Sequence, residues 1–229
     1  MKQPGGTEAQ KRRAAESAAD AVADGTVVGL GSGSTAAAAI RALGRRVDAG
    51  LDVRGIPTSY QSRQTAREAG VPLATLEDAT PDVAIDGADL VATGDLALVK
   101  GGGAAHAREK IVDGAANRFV VVVDETKLRE TLDGPIPIEV LPDAVPPVRN
   151  ALVGLGGEPS LRGAERKDGP VVTENGNLVL DCDFGPLDDP AGLAADVAAL
   201  PGVLEHGLFV DMADEVHVGT DDGVDVIER

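Results

Sequence analysis

The chain has 229 residues and a formal charge of -17, from 21 basic and 38 acidic side chains, a balance that repels polyanions and excludes nucleic acid as a partner. Self-repulsion on this scale opposes compaction unless salt screens it, and at molar salt the Debye length is only about 3 Å, so the composition reads as halophilic. The lone Cys182 fits a reducing cytoplasm, and the chain shows neither a run of about 18 apolar residues nor an apolar leader core, so no membrane span or secretory signal is expected.

With one Tyr, three Phe and no Trp, the core must be built from small aliphatic side chains, which suits parallel strands under Ala-rich helices. Residues 8–23 read as an Ala-rich helix stopped at Asp24-Gly25. Thr26–Leu30 reads as a strand, Gly31-Ser32-Gly33 as a tight turn and Ser34–Leu43 as a helix, the opening unit of a parallel α/β sheet. The rhythm continues with strand Asp52–Ile56 and helix Ser59–Ala69. Strands Pro81–Ile85, Leu96–Val99 and Phe119–Val123 follow, with helix Ala104–Asn117 between the last two.

From Asp133 the Pro-rich stretch GPIPIEVLPDAVPP marks a change of unit. It is followed by strand 136–140, helix 146–154, strand 158–162, a hairpin-like pair around Glu174-Asn175-Gly176-Asn177, helix 190–199 and strand 203–210. EVHVGTDDGVDVIER then reads as a return to the first sheet. The expected organisation is a main α/β domain of residues 1–132 plus 211–229 and a smaller α+β domain of residues 133–210.

Ligands of parallel sheets bind beyond the carboxyl ends of the strands, so the polar clusters that follow strands are the candidate chemistry. Gly31-Ser32-Gly33-Ser34-Thr35 offers close-approach glycines, hydroxyls and amides at a helix start, a site for phosphate; its bland alternative is a turn with Ser34 as N-cap. Gly31 to Ala36 also matches G-x-G-x-x-A. The next strand, however, ends without an acidic residue to hold a ribose diol, and no Gly-Lys-Ser/Thr follows to make a Walker loop.

Asp86-Gly87-Ala88-Asp89 sets two carboxylates three residues apart, suited to sugar hydroxyls and proton exchange, or else a polar turn in which Asp89 caps a helix. Lys100-Gly101-Gly102-Gly103 spends three glycines in a row, which points to close approach of a ligand to backbone. The helix beyond carries Glu109, a candidate base whose alternative is a solvated surface charge. Lys127, in Asp124-Glu125-Thr126-Lys127, could reach a phosphate, and Lys11 is a further candidate. Two of only six lysines at strand ends favour an anionic substrate. His106, His206 and His217 lack the spacing of a metal site, so no metal is expected.

Taken together, GLGSGSTA, PTSYQS, DVAIDGAD, LVKGGGAAHAREKIV, FVVVVDETKL, PIPIEVLP, VVTENGNLVLD and PGVLEHGLF resemble the ribose-5-phosphate isomerase family of the A type, in the family's order over roughly residues 11–219. The resemblance implies a Rossmann-like parallel-sheet main domain with a smaller ferredoxin-like α+β domain. It also implies a homodimer or homotetramer that needs no cofactor. The implied reaction interconverts D-ribose 5-phosphate and D-ribulose 5-phosphate through an enediolate, in the non-oxidative branch of the pentose phosphate pathway.

Carried over by motif, Glu109 looks like the base between C1 and C2. Asp86 and Asp89, with Gly87, resemble the groups that hold sugar hydroxyls and assist ring opening. Lys100 and the amides of Gly101, Gly102 and Gly103 resemble the enediolate stabilisers. Ser32, Gly33, Ser34 and Thr35, with Lys127 and Lys11, look like the phosphate clamp. Ser32 stands where the family commonly has Thr.

Two other classes compete. A sugar-phosphate sensor domain of a transcription regulator would bring an N-terminal DNA-binding domain and lose the acid and base residues. An acyl-CoA transferase with a Glu nucleophile would need a larger chain and a coenzyme pocket.

Overall fold

The computed structural model describes residues 6–229; the first five, part of the polar start, lie outside the described residues. Helix α1 (Glu8–Asp20) begins at Thr7, whose hydroxyl accepts the Gln10 amide while the Gln10 side chain accepts the Thr7 amide, satisfying two helix-end donors reciprocally. Strand β1 (Thr26–Leu30), α2 (Gly33–Asp48), β2 (Val53–Pro57), α3 (Tyr60–Glu68) and β3 (Val83–Asp86) alternate after it. Then come β4 (Leu90–Ala92), β5 (Leu98–Val99), α4 (His106–Ala115), β6 (Phe119–Asp124) and β7 (Leu128–Arg129). The remainder supplies β8 (Ile136–Val140), α5 (Val145–Gly154), β9 (Glu158–Leu161), β10 (Leu178–Asp183) and α6 (Pro190–Ala198). It ends with β11 (Val203–His206), β12 (Leu208–Phe209), β13 (Glu215–Gly219) and β14 (Val224–Glu228).

Two compact units divide this chain. One takes the described residues up to Ala88, Arg108–Leu128 and Asp211–Arg229. Its six-stranded sheet runs β14-β13-β6-β3-β1-β2, parallel except for the edge strand β14. All six β6 residues are buried, as a Val-rich strand covered on both faces must be. Ala14, Ala15 and Ala18 of α1 share a core with Ala39 and Ala42 of α2, where methyl-sized side chains let the helices approach closely. Each larger Val, Leu or Ile buried here stabilises by about 1.5–3 kcal/mol.

On β13, Glu215 accepts hydrogen bonds from Arg118 and His217, and the other His217 nitrogen meets Ser17 at 2.8 Å. Burial pushes the Glu215 carboxyl up, but the bonds from His217 and Arg118 outweigh it and hold the group below the usual carboxylate range.

The other unit, Asp89–Ala107 and Arg129–Val210, holds the β8-α5-β9-β10-α6-β11 succession in an antiparallel sheet ordered β11-β8-β10-β9, a ferredoxin-like arrangement. Ile136, Ile138, Val140, Leu180 and Cys182 pack with Val148, Leu152 and Val197 of the two helices. Residues alternate across a strand, so Glu139 turns to the opposite face. There it is buried and accepts from the Thr173 hydroxyl and the side-chain amides of Asn175 and Asn177. A small sheet ordered β12-β5-β4-β7 completes the fold.

The Rossmann-like and ferredoxin-like architectures are those the motifs imply, with four differences in detail. Leu96–Val99 is not a parallel strand: Leu96 sits at φ 58 in the turn of a β4–β5 hairpin, and only Leu98–Val99 is extended, paired antiparallel with β4 and β12. That pairing carries 89–107 into the ferredoxin-like unit, whereas the composition shift alone places the boundary at Asp133. The run 203–210 is broken at Gly207, which is pinched between the Pro137 carbonyl at 2.7 Å and the Lys100 amide at 2.8 Å, so its halves join different sheets. Around Glu174–Asn177 the hairpin is reduced to one bridge, Val172 with Leu178, because the turn side chains grip Glu139 instead of leaving the strands to pair.

Candidate active site

In the parallel-sheet unit, strand order reverses at β1: the chain leaves to β2 on one side and returns to β3 on the other, so the carboxyl ends of β1 and β3 flank a crevice. Gly31 lies there because a Cβ would overlap the Asp86 carboxylate. Asp86 Oδ1 accepts the amides of Ser32 at 2.9 Å and Gly87 at 2.6 Å, which fixes the carboxylate against the turn. The Ser32 hydroxyl meets Thr58 at 2.9 Å and Ser59 at 2.6 Å, and the Gly33 amide donates to Gln61 Oε1 at 3.1 Å. Ser32, not Ser34, is the residue before α2, and its hydroxyl is turned to Thr58 and Ser59 instead of capping. Ser34 is exposed and Thr35 half-buried in the first turn of α2, where helix amides are open to an anion.

Strand β6, next to β3, ends in the turn Glu125–Lys127, with the Asp124 carboxylate taking the Thr126 amide. Lys127 is 9% exposed. The Ser34–Thr35 turn, Asp86 and Lys127 therefore stand at the same end of the neighbouring strands β1, β3 and β6. Lys11, on α1, pairs with Glu8 at 3.0 Å. Glu109 occupies the first turn of α4 and is only 5% exposed, so it is not the solvated surface charge of the bland reading. A carboxylate is favoured at that helix end.

In the ferredoxin-like unit, Asp89 precedes β4 and caps no helix; its Oδ2 accepts the Gly102 amide at 2.7 Å. Lys100 follows β5, is 2% exposed and holds its ammonium 5.3 Å from the centre of the Phe209 ring. The three glycines after it have separate reasons. Gly101 adopts φ 102 and a Cβ there would press on His106, while a Cβ at Gly102 would stand 2.7 Å from Asp89 Oδ1. Only Gly103 of the three borders open space, so the other two are required by the protein's own packing. The loop closes with the Ala104 amide on the Gly101 carbonyl at 2.9 Å.

Arg162, just past β9, is a residue that motif reasoning overlooks. Its guanidinium grips the Asp181 carboxylate and also donates to the Gly101 and Gly102 carbonyls at 2.8 and 3.3 Å. No spacing in the sequence marks it. The three histidines are buried, and among the described residues no cluster of His, Cys, Asp and Glu is arranged to hold a metal ion.

The sequence model for "Ribose 5-phosphate isomerase A (phosphoriboisomerase A)" matches residues 54–223. Ribose-5-phosphate isomerase A of Natronomonas pharaonis is 73% identical over 226 residues, covering 99% of this chain and 100% of that protein. The solved ribose 5-phosphate isomerase A of Methanocaldococcus jannaschii superposes with a TM-score of 0.94 at 46% identity, over 98% of this chain and all of that one. A D-ribose-5-phosphate isomerase solved in complex with phospho-erythronic acid gives a TM-score of 0.95 at 43% identity, again over 98% of this chain and all of that one.

Proposed function

The chain belongs to the ribose 5-phosphate isomerase A family, and from that premise we propose how its own residues interconvert D-ribose 5-phosphate and D-ribulose 5-phosphate. Isomerisation needs a base at the carbon that loses its proton and a positive group facing the oxygen where charge collects. Glu109 takes the C2 proton of the open-chain aldose. The electron pair left behind makes the enediolate, whose oxygens face the Lys100 ammonium. Moving the hydroxyl proton from O2 to O1 within the enediolate and returning the carbon-bound proton to C1 gives the ketose, and the reverse path uses the same groups.

Asp86 and Asp89, each oriented by backbone amides, take the sugar hydroxyls and assist ring opening. With the Gly102 amide committed to Asp89, the loop's share of the oxyanion falls to Lys100 and the Gly103 amide. Ser34, Thr35 and the first-turn amides of α2 hold the phosphate together with Lys127. Ser32 and Gly33 shape that turn, and Lys11 at most steers the anion inward. Phospho-erythronic acid, which the related enzyme binds, supports this reading: its planar carboxylate next to a hydroxylated carbon has the shape and charge of an enediolate.

The observation that carries the proposal is the burial of Lys100 beside Phe209, on a chain that runs through a glycine loop directly into the helix bearing Glu109. Glu109→Gln should lower kcat by roughly 10²-fold or more. It should also abolish incorporation of solvent deuterium into ribose 5-phosphate and ribulose 5-phosphate, and labelling at the wild-type rate would remove the base assignment.

The protein works in a salt-rich cytoplasm as a homodimer or homotetramer, with neither nucleic acid nor membrane as partner. The acidic surface and the exposed Leu155, Leu161, Val172 and Leu204 support this. Light scattering in molar KCl tests the assembly, and a monomer would count against it.

A further inference from the structure

We propose that Arg162 is a positioning residue for the isomerisation, a latch that fixes which way the peptides of the Lys100–Gly103 loop point. The inference rests on the isomerase reading above. All peptide bonds of the described residues are trans, and in a trans peptide the carbonyl and the amide hydrogen point in opposite directions. The Gly101 carbonyl accepts from Arg162 Nη1 at 2.8 Å, and the amide of that same peptide, Gly102 N–H, donates to Asp89 Oδ2 at 2.7 Å. One peptide group is therefore held at both ends, by a cation behind it and a carboxylate in front.

The next peptide follows suit. The Gly102 carbonyl lies 3.3 Å from the same Nη1, so the Gly103 amide must point away from Arg162. Glycines on both sides would let either peptide turn over at little steric cost: a turned Gly101–Gly102 peptide would release Asp89, and a turned Gly102–Gly103 peptide would present a carbonyl where the enediolate needs a donor. Withdrawal of electron density from the Gly101 carbonyl by the guanidinium also strengthens the Gly102 donor.

Arg162 is itself braced. Its Nε and Nη2 fork onto both Asp181 oxygens, its backbone amide donates to Val179, and its side chain is 9% exposed. Only an arginine supplies a fork for the carboxylate and a further N–H for the carbonyls at once; a lysine would keep the charge and lose one of the two. A cleft bounded by Arg162, Asp89, Pro137 and Val99 gives a small cation access if the side chain is removed.

The test compares Arg162→Lys and Arg162→Ala with the wild type as full chains in molar KCl. In Arg162→Lys we expect an unchanged melting midpoint, faster exchange of the Gly102 amide by NMR, and kcat lowered roughly tenfold or more, with KM within about twofold. Added guanidinium should restore part of the kcat of Arg162→Ala and none in the wild type. Wild-type kcat in Arg162→Lys, a defect confined to KM, or a Gly102 amide that exchanges no faster would each overturn the latch, as would an Arg162→Ala that melts normally but gains nothing from guanidinium. Should Arg162→Ala fail to fold, Arg162→Lys alone decides. The exchange measurement needs no turnover, so a failure of the isomerase reading, seen as wild-type turnover in Glu109→Gln, is told apart from a failure of the latch.

Discussion

The two glycine-rich turns of this protein are built on the same plan in different units. Each lodges a carboxylate of the Asp86–Asp89 segment against a backbone that has no room for a Cβ: Asp86 against Gly31 and the Ser32 amide, Asp89 against Gly102 and its amide. The bracing behind them differs. The first turn is held by uncharged hydroxyls and an amide from Thr58, Ser59 and Gln61 at the end of a buried parallel strand. The second hangs from one guanidinium at the edge of an antiparallel sheet. On the proposed roles, a turn that only grips a phosphate needs a fixed cradle, whereas one that meets charge appearing during the reaction needs donors aimed in advance, and an ion pair aims them.

The comparison is tested most severely by adding one methyl to each turn. Gly31→Ala would push on the backbone as well as the side chain of fully buried Asp86, so we expect a stability loss of about 3 kcal/mol and most activity gone with it. Gly102→Ala meets only the carboxylate end of Asp89, which can swing away, so kcat should fall roughly 10²-fold for a stability loss of only about 1 kcal/mol. Melting curves beside kcat for both variants decide the point, and equal stability losses would break the distinction.

Much of this was open to inspection in the chain itself. Strands Thr26–Leu30 and 136–140 stand where the apolar runs place them, and so does the return of EVHVG to the parallel sheet. Local chemistry carries that much, because a Val-rich run or a Gly-rich turn is specified by its own residues. Pairing partners are not. The run ending at Val99 is as apolar as a parallel strand, and only its hairpin with β4 and its contact with β12 decide otherwise. For the same reason the candidate residues were legible one at a time, while the hold of Asp89 on Gly102, thirteen positions away, and of Arg162 on Gly101, sixty-one away, was not. A lone arginine after a strand carries no signature of what it will touch.

Charge at the end of β6 gives a sharper test of the phosphate side. Lys127→Ala should raise KM about tenfold or more and leave kcat within about twofold, because a charge-assisted contact to a remote phosphate is made equally in ground and transition states. Inorganic phosphate should inhibit the wild type more strongly than the variant; a kcat defect with normal KM would instead place Lys127 in the chemistry. A smaller effect is expected from Gly103→Ala, the one glycine of its loop with open space around it. Its stability should stay within about 0.5 kcal/mol of wild type while KM rises a few-fold, as the methyl enters room kept for the sugar. Unchanged kinetics would mean that this glycine serves neither packing nor substrate.

The smallest signal comes from the single thiol, and it reads the ionic one of the two braces directly. Cys182 is buried on β10 next to Asp181, the anchor of Arg162, and burial, with the charges of Asp183 and Glu158, pushes its thiol from 9.0 up to about 12. Its folded value is raised, so the neutral thiol's contribution to stability is complete below pH 9.0 and is lost as pH climbs toward 12. At neutral pH in molar KCl a thiol reagent should therefore label the native protein only through opening of β10. As KCl is lowered, repulsion within the acidic surface grows and that opening becomes more frequent. Since the same opening frees Asp181 from Arg162, labelling should rise in step with the loss of kcat, while phosphate inhibition, seated on the hydroxyl-braced turn, persists to lower salt. Labelling that climbs while kcat holds would show that the glycine loop keeps its aim without the ion pair, and the contrast between the two turns would then rest on sequence alone.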